Sequence, residues 1–170
     1  MKNITIYEEY NISSDKMIDI MTSTEYYNYL LNVTDDLLSY EIKSLKKEGI
    51  YIYMELSYEL LINLPDFLKK ILTNLNKFKF NESIIYNLKE NTINVDINSK
   101  IFNLGKCKCN YNYKLIDIGK NKISKDTTFY CDCSIPIIGS RIEEVICNKT
   151  IKKNKTRYGY ILEYIKNIEE

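Results

Sequence analysis

The chain has 170 residues and a formal net charge of +1, from 24 Lys+Arg against 23 Asp+Glu. That is the length of one domain, with no charge excess to argue for a nucleic-acid partner. Histidine is absent, which excludes imidazole-based triads and dyads and His-liganded metals. No apolar run reaches the roughly 18–20 residues that a membrane-spanning helix needs. The first residues, Met1 to Glu9, carry no apolar signal core, so the expected location is cytoplasmic. Asn, Ile, Lys and Tyr are abundant, as AT-rich coding produces, so lysine richness by itself carries no functional weight.

Ile4, Ile6, Tyr10 and Ile12 alternate with polar residues and predict a first strand. Glu8 shares their parity and would point the same way. Ser13 or Ser14 can cap a short helix starting near Asp15, with Met17, Ile18 and Met21 on its apolar side. A second short helix carries Tyr26, Tyr27, Leu30 and Leu31. Leu38, Tyr40 and Ile42 then alternate as a strand, Glu48-Gly49 makes a turn, and Ile50, Ile52, Met54, Leu56, Tyr58 and Leu60 form one long apolar face. Pro65 ends that strand and opens a helix expected over residues 66–75, with Phe67, Leu68, Ile71 and Leu72 on its apolar side.

A second group of strands follows. Phe78, Phe80, Ile84, Tyr86 and Leu88 share one parity, Glu90-Asn91 is a turn, and Ile93, Val95, Ile97 and Ile101 share the next. Gly105 leads into a strand over 107–115, Gly119-Lys120-Asn121 closes a hairpin, and the last strand is expected over 123–135. A terminal helix should start just after Pro136 and Gly139. Ile138, Ile142, Val145 and Ile146 recur at helical spacing, as do Tyr158, Ile161, Leu162, Ile165 and Ile168. The polar middle of this helix leaves a break near Lys153-Asn154 as the alternative to a continuous rod.

Strands in runs, with helices at the ends, point to an α+β fold. The expectation is a curved antiparallel sheet of about seven strands gripping a long C-terminal helix, with short helices after the first and third strands. No linker or repeat divides the chain, so residues 1–170 read as a single domain.

The run Cys133-Ser134-Ile135-Pro136-Ile137-Ile138-Gly139-Ser140-Arg141-Ile142-Glu143 resembles the strand-to-helix junction of an uncharacterised bacterial family in the START-like (helix-grip, birch-pollen-allergen-like) superfamily. Leu64-Pro65 is similar to that family's middle. Those relatives tend to have a Trp in the strand after the middle helix, where this chain offers Ile84 or Tyr86. The PRELI-type phospholipid-transfer family is similar in length and element order, but its N-terminal aromatic-Pro-Trp motif is missing here. The resemblance implies a non-enzymatic or weakly enzymatic pocket for a hydrophobic ligand such as a lipid, sterol or polyketide, and transfers no catalytic residues.

The residues themselves support an enclosed site. Pairing the final hairpin about Lys120 places Cys107 opposite Cys133, Cys109 opposite Cys131, Tyr111 opposite Phe129 and Tyr113 opposite Thr127, all on one face. Lys106, Lys108, Asn110, Asn112, Lys114, Thr128, Tyr130 and Asp132 take the wet face. The expected ligand-binding residues are Glu8, Tyr40, Met54, Tyr58, Tyr86, Val95, Ile97, Tyr111, Tyr113, Phe129, Ile142 and Ile146. With 16 Tyr and no Trp, such a cavity would be apolar with a few hydroxyl handles. The plain alternative is a solidly packed interior.

Five cysteines in a chain without an export signal read by default as reduced structural thiols. The rectangle of Cys107, Cys109, Cys131 and Cys133 leaves two alternatives open: a zinc ion held by four thiolates, or oxidation of one cross-strand pair. No other cofactor is expected. Lys149, Lys152, Lys153, Lys155 and Arg157 make the centre of the terminal helix basic. They are read either as a face toward anionic membrane headgroups or as a solvated surface. The rival functions are a metal- or redox-responsive interaction protein, and a START-like cyclase or hydratase with Glu8, Tyr40 or Tyr58 as acid or base. Nothing in the sequence speaks to the oligomeric state.

Overall fold

The computed structural model describes residues 1–71, 76–99 and 107–170, without the side chain of Ile71. The expected apolar positions Ile71, Leu72 and Ile101, the end of the middle helix at Leu75, the strand start at Gly105 and the wet-face Lys106 fall outside what is described. Among the described residues the order is β1 (Lys2–Tyr10), α1 (Ser14–Met21), α2 (Thr24–Val33), β2 (Leu37–Glu48), β3 (Tyr51–Leu61), α3 (Asp66–Ile71), β4 (Lys77–Asn87), β5 (Thr92–Ser99), β6 (Cys107–Gly119), β7 (Lys122–Cys133) and α4 (Gly139–Glu169).

The strands form one curved antiparallel sheet in the order β1-β7-β6-β5-β4-β3-β2. Strands β2 to β7 lie side by side in chain order, with α3 between β3 and β4, and β1 adds to the far edge beside β7. Helices α1 and α2 therefore carry the chain from one edge of the sheet to the other. Their starts are set by serine caps: Ser13 accepts from the Lys16 amide and Ser23 from the Tyr26 amide, each at 3.2 Å. A cap of this kind contributes about 1 kcal/mol. Two irregularities in β2, between Leu37 and Ser39 and between Ile42 and Ser44, sit where bulges bend a sheet.

The hairpin register is the one its turn dictates. Cys107 faces Cys133, Cys109 faces Cys131, Tyr111 faces Phe129 and Tyr113 faces Thr127. Asn91 and Asn121 sit in their turns with φ of 52°, a conformation asparagine tolerates.

Helix α4 runs unbroken for 31 residues, roughly 46 Å. The polar stretch around Lys153-Asn154 does not break it. Asn154 donates to the Thr150 carbonyl at 3.0 Å and Thr156 to the Lys152 carbonyl at 3.2 Å, so these side chains bond along the helix. The strand before it is shorter than expected. β7 stops at Cys133, and Ile135 to Ile138 form a tight turn instead of strand. Pro136 has no amide to continue a ladder. The Ile138 amide donates to the Pro136 carbonyl and the Gly139 amide to the Ile135 carbonyl, both at 2.9 Å. Ile137 is left wholly exposed with φ of 72°.

Two apolar clusters fill the space between sheet and helices. One gathers Tyr10, Met17, Tyr26, Met54, Tyr86, Ile161 and Ile165 near α1, α2 and the end of α4. The other gathers Leu60, Leu64, Phe78, Phe80, Phe129, Ile142 and the cysteines near α3 and the start of α4. Ile50, Leu31, Leu162 and Ile168, expected on apolar faces, are exposed.

Candidate functional site

The site is built where β4 to β7 face α4. An opening of about 30 Å³ lies there, lined by Met21, Tyr26, Tyr27, Glu82, Ile84, Tyr86, Val95, Tyr113, Lys125, Asn154, Arg157 and Ile161. Alternation along the strands explains the wall: Glu82, Ile84 and Tyr86 are consecutive inward positions of β4, and Lys125 shares the inward parity of Ile123, Thr127 and Phe129 on β7. Asn154, Arg157 and Ile161 lie three and four residues apart and occupy one stripe of α4.

This differs from the expected cavity in size and in character. The interior is close to filled: 30 Å³ is room for a water or two. Three charged side chains border it. Of the twelve expected ligand-binding residues, Tyr86, Val95 and Tyr113 line the opening. Met54 is buried in the same cluster, with Tyr40, Tyr58, Ile97 and Tyr111 packed against it. Phe129 and Ile142 belong to the other cluster, Ile146 packs on that cluster, and none of the three borders the opening. A larger recess of about 230 Å³, around Ser39, Tyr40, Glu41, Ser57, Tyr58, Glu59 and Lys79, opens at the β2–β3 edge. Its rim is mostly polar, and of the expected ligand-binding residues Tyr40 and Tyr58 line it.

Glu8 is buried, as its parity implies. It accepts from Lys125 Nζ at 2.7 Å and from the Tyr10 hydroxyl at 2.8 Å. The Lys125 ammonium also lies 5.2 Å from the centre of the Tyr113 ring and 5.6 Å from that of Tyr10. Burial lowers the Lys125 pKa below the ordinary lysine value, and Glu8 opposes that shift.

Glu82 accepts from the Tyr58 hydroxyl at 2.5 Å. Burial raises its pKa above the ordinary carboxylate value, against the pull of Tyr58, Arg157 and Lys153. Burial also raises the pKa of Tyr58, Tyr86, Tyr111 and Tyr113. Tyr40 stands further out, stacked on Tyr27 at 5.4 Å and donating to Asn28 Oδ1 at 2.7 Å.

Arg157 is exposed as a residue, yet it lines the opening and its electrostatic neighbours are Tyr26, Tyr27, Tyr113 and Glu82. One geometry satisfies both facts: the side chain runs from the helix surface into the interior. This corrects the reading of the basic run as one outward face. Lys153 pairs with Asp36 at 3.2 Å, and Lys149 donates to the Asn63 carbonyl at 2.6 Å. Lys152 and Lys155 remain as exposed cations.

The cysteine rectangle takes its oxidised alternative, against the default of reduced thiols. Cys107 and Cys133 are joined as a disulfide, so four thiols are not available to a metal and one pair is not reduced. Cys109 donates to the Cys131 sulfur at 3.3 Å. That contact, with burial, pushes the Cys109 thiol up. Among the described residues no group of three or more Cys, Asp or Glu is arranged to hold a metal ion.

Glu82 and Lys125 were missed in the sequence, and Arg157 was read there as part of the outward basic run. The first two carry the signal that identified Glu8, a charge on an otherwise apolar parity. The third required helical phasing inside a charged run.

Solved structures superimpose over nearly the whole chain. A START superfamily protein from Mycobacterium smegmatis matches with a TM-score of 0.63 at 12% identity, covering 96% of this chain and 98% of that one. The Zhui aromatase/cyclase from Streptomyces sp. R1128 matches at 0.68 and 6% identity, covering 99% and 96%. This is the START-like helix-grip fold. A norcoclaurine synthase point mutant from Thalictrum flavum, in complex with a transition-state analogue, shares the helix-grip fold at 0.57 and 12% identity, covering 97% and 96%. No family model and no curated protein matches the sequence.

Proposed function

We propose that this protein binds a hydrophobic small molecule or lipid between the inner face of the sheet and α4, without converting it. The observation that carries this reading is the lining of the opening. Met21, Ile84, Val95, Ile161 and four tyrosines surround a few polar groups, the composition of a ligand site. The helix-grip fold supports ligand binding by analogy, since a norcoclaurine synthase of this fold is seen in complex with a transition-state analogue. The opening is small as it stands. Met21, an unbranched and adaptable thioether, is the wall residue most easily displaced by an entering ligand.

Native mass spectrometry tests the proposal, on the purified protein and after incubation with a panel of fatty acids, phospholipids, sterols and aromatic polycycles. A bound species of stoichiometric mass is expected. A clean unliganded species across the whole panel would overturn it.

A second reading has one observation in its favour. Glu82 and Lys125 border the same opening, and burial raises the pKa of the first and lowers that of the second, the directions in which acid–base catalysts are tuned. The same experiment separates the two: a binding protein returns its ligand at unchanged mass, whereas an enzyme returns a product.

A further inference from the structure

Arg157 borders the opening with its guanidinium toward the Tyr26 and Tyr27 hydroxyls, and among the described residues no carboxylate pairs with it. Lys125, the other cation there, is already held by Glu8 at 2.7 Å. Glu82 is engaged by the Tyr58 hydroxyl. The Tyr26 hydroxyl is buried at the same wall, with the residue 1% exposed, and has no hydrogen-bond partner among the described residues. A guanidinium presents five donors in a planar fork suited to a carboxylate, sulfonate or phosphate. A buried hydroxyl without a partner costs free energy until it finds one. The unpaired charge of Arg157 and the Tyr26 hydroxyl both border a space of about 30 Å³.

We infer that the ligand carries an anionic head, which docks between Arg157 and the Tyr26 hydroxyl while its apolar body lies along Ile84, Val95 and Ile161. This rests on the proposed binding function and adds the charge of the ligand to it. The anion would accept from both groups at once, and its head is the part of an amphiphile nearest in size to the present opening. Glu82 bears on the same site: burial raises its pKa, and in its neutral form it does not repel an anion.

The test uses two fluorescent probes with similar aromatic bodies, anionic anilinonaphthalenesulfonate and uncharged N-phenylnaphthylamine, titrated into the full chain. The expected result is tighter binding of the sulfonate. Arg157→Gln should then lose about tenfold in sulfonate affinity, the scale of one charge-assisted hydrogen bond, and leave the uncharged probe within about twofold. Tyr26→Phe removes a single hydroxyl and serves if Arg157→Gln does not fold; it should weaken the sulfonate alone. Equal affinity for both probes, or equal losses in the variants, would overturn the anionic head and leave hydrophobic binding standing. Failure of both probes to bind would overturn the binding function and this inference together.

Discussion

Lys125 donates to Glu8 across 2.7 Å where neither side chain keeps more than 7% of its surface. Two full charges are thus held inside the sheet–helix interface, one edge strand supplying the acid and its neighbour the base. Removing one partner strands the other. Lys125→Met should cost about 3–5 kcal/mol in urea denaturation, because it leaves Glu8 buried and unpaired. Adding Glu8→Gln, which still accepts from Tyr10, should recover most of that loss. If the single variant unfolds at the parent's urea concentration, the pair is not buried as described.

Glu82 gives a pH dependence of definite sign. Its folded pKa lies above the ordinary carboxylate value, so in the window between the two the native state holds more protons than the unfolded state. Stability should fall as pH rises through that window. Glu82→Gln cannot ionise and should flatten this part of the profile. Denaturation midpoints of both proteins between about pH 4 and 7 check it. Parallel profiles would contradict the assignment.

The tyrosines set the alkaline limit. Tyr10, Tyr27, Tyr58, Tyr86, Tyr111 and Tyr113 all have their pKa raised by burial, and Tyr29 is pushed up to about 12. Their contribution is fully present below the ordinary tyrosine value near 10 and is lost as pH rises beyond it. Tyrosinate absorbance should appear in two phases, exposed phenols first and the buried set together with loss of near-ultraviolet dichroism. A single smooth titration with the fold intact would contradict the packing.

The turn into α4 carries two opposite constraints. Ile137 sits at φ of 72° in a γ-turn closed by the Ile138 amide, a strained backbone for a β-branched residue. Ile137→Gly should stabilise by about 1 kcal/mol. Two residues on, a Cβ at Gly139 would lie 2.1 Å from the Cys133 carbonyl oxygen. Gly139→Ala should therefore destabilise by about 1–3 kcal/mol. Thermal melts of the two variants moving in the same direction would refute this picture of the turn.

Much of the fold was legible because its signals were local and periodic. The hairpin turn fixed which cysteines face each other, and the parity of β1 exposed Glu8. Glu82 and Lys125 sent the same signal and passed unnoticed, because each stood among residues read for their hydrophobicity. Arg157 was hidden differently: a run of five cations looks uniform until Thr150, Asn154, Arg157 and Ile161 are phased on one helical face. The disulfide could not be told from a thiol pair, since opposed cysteines have the same spacing in either state. The near closure of the interior was beyond reach for a similar reason. Alternation tells which side chains point inward, and not how completely they meet.

The most direct test of the account is where a bound probe sits. Nuclear Overhauser contacts between anilinonaphthalenesulfonate and methyl-labelled protein should reach Met21, Ile84, Val95 and Ile161. Contacts confined to Ile85 and Ile116, which are exposed, would contradict a site between the sheet and α4.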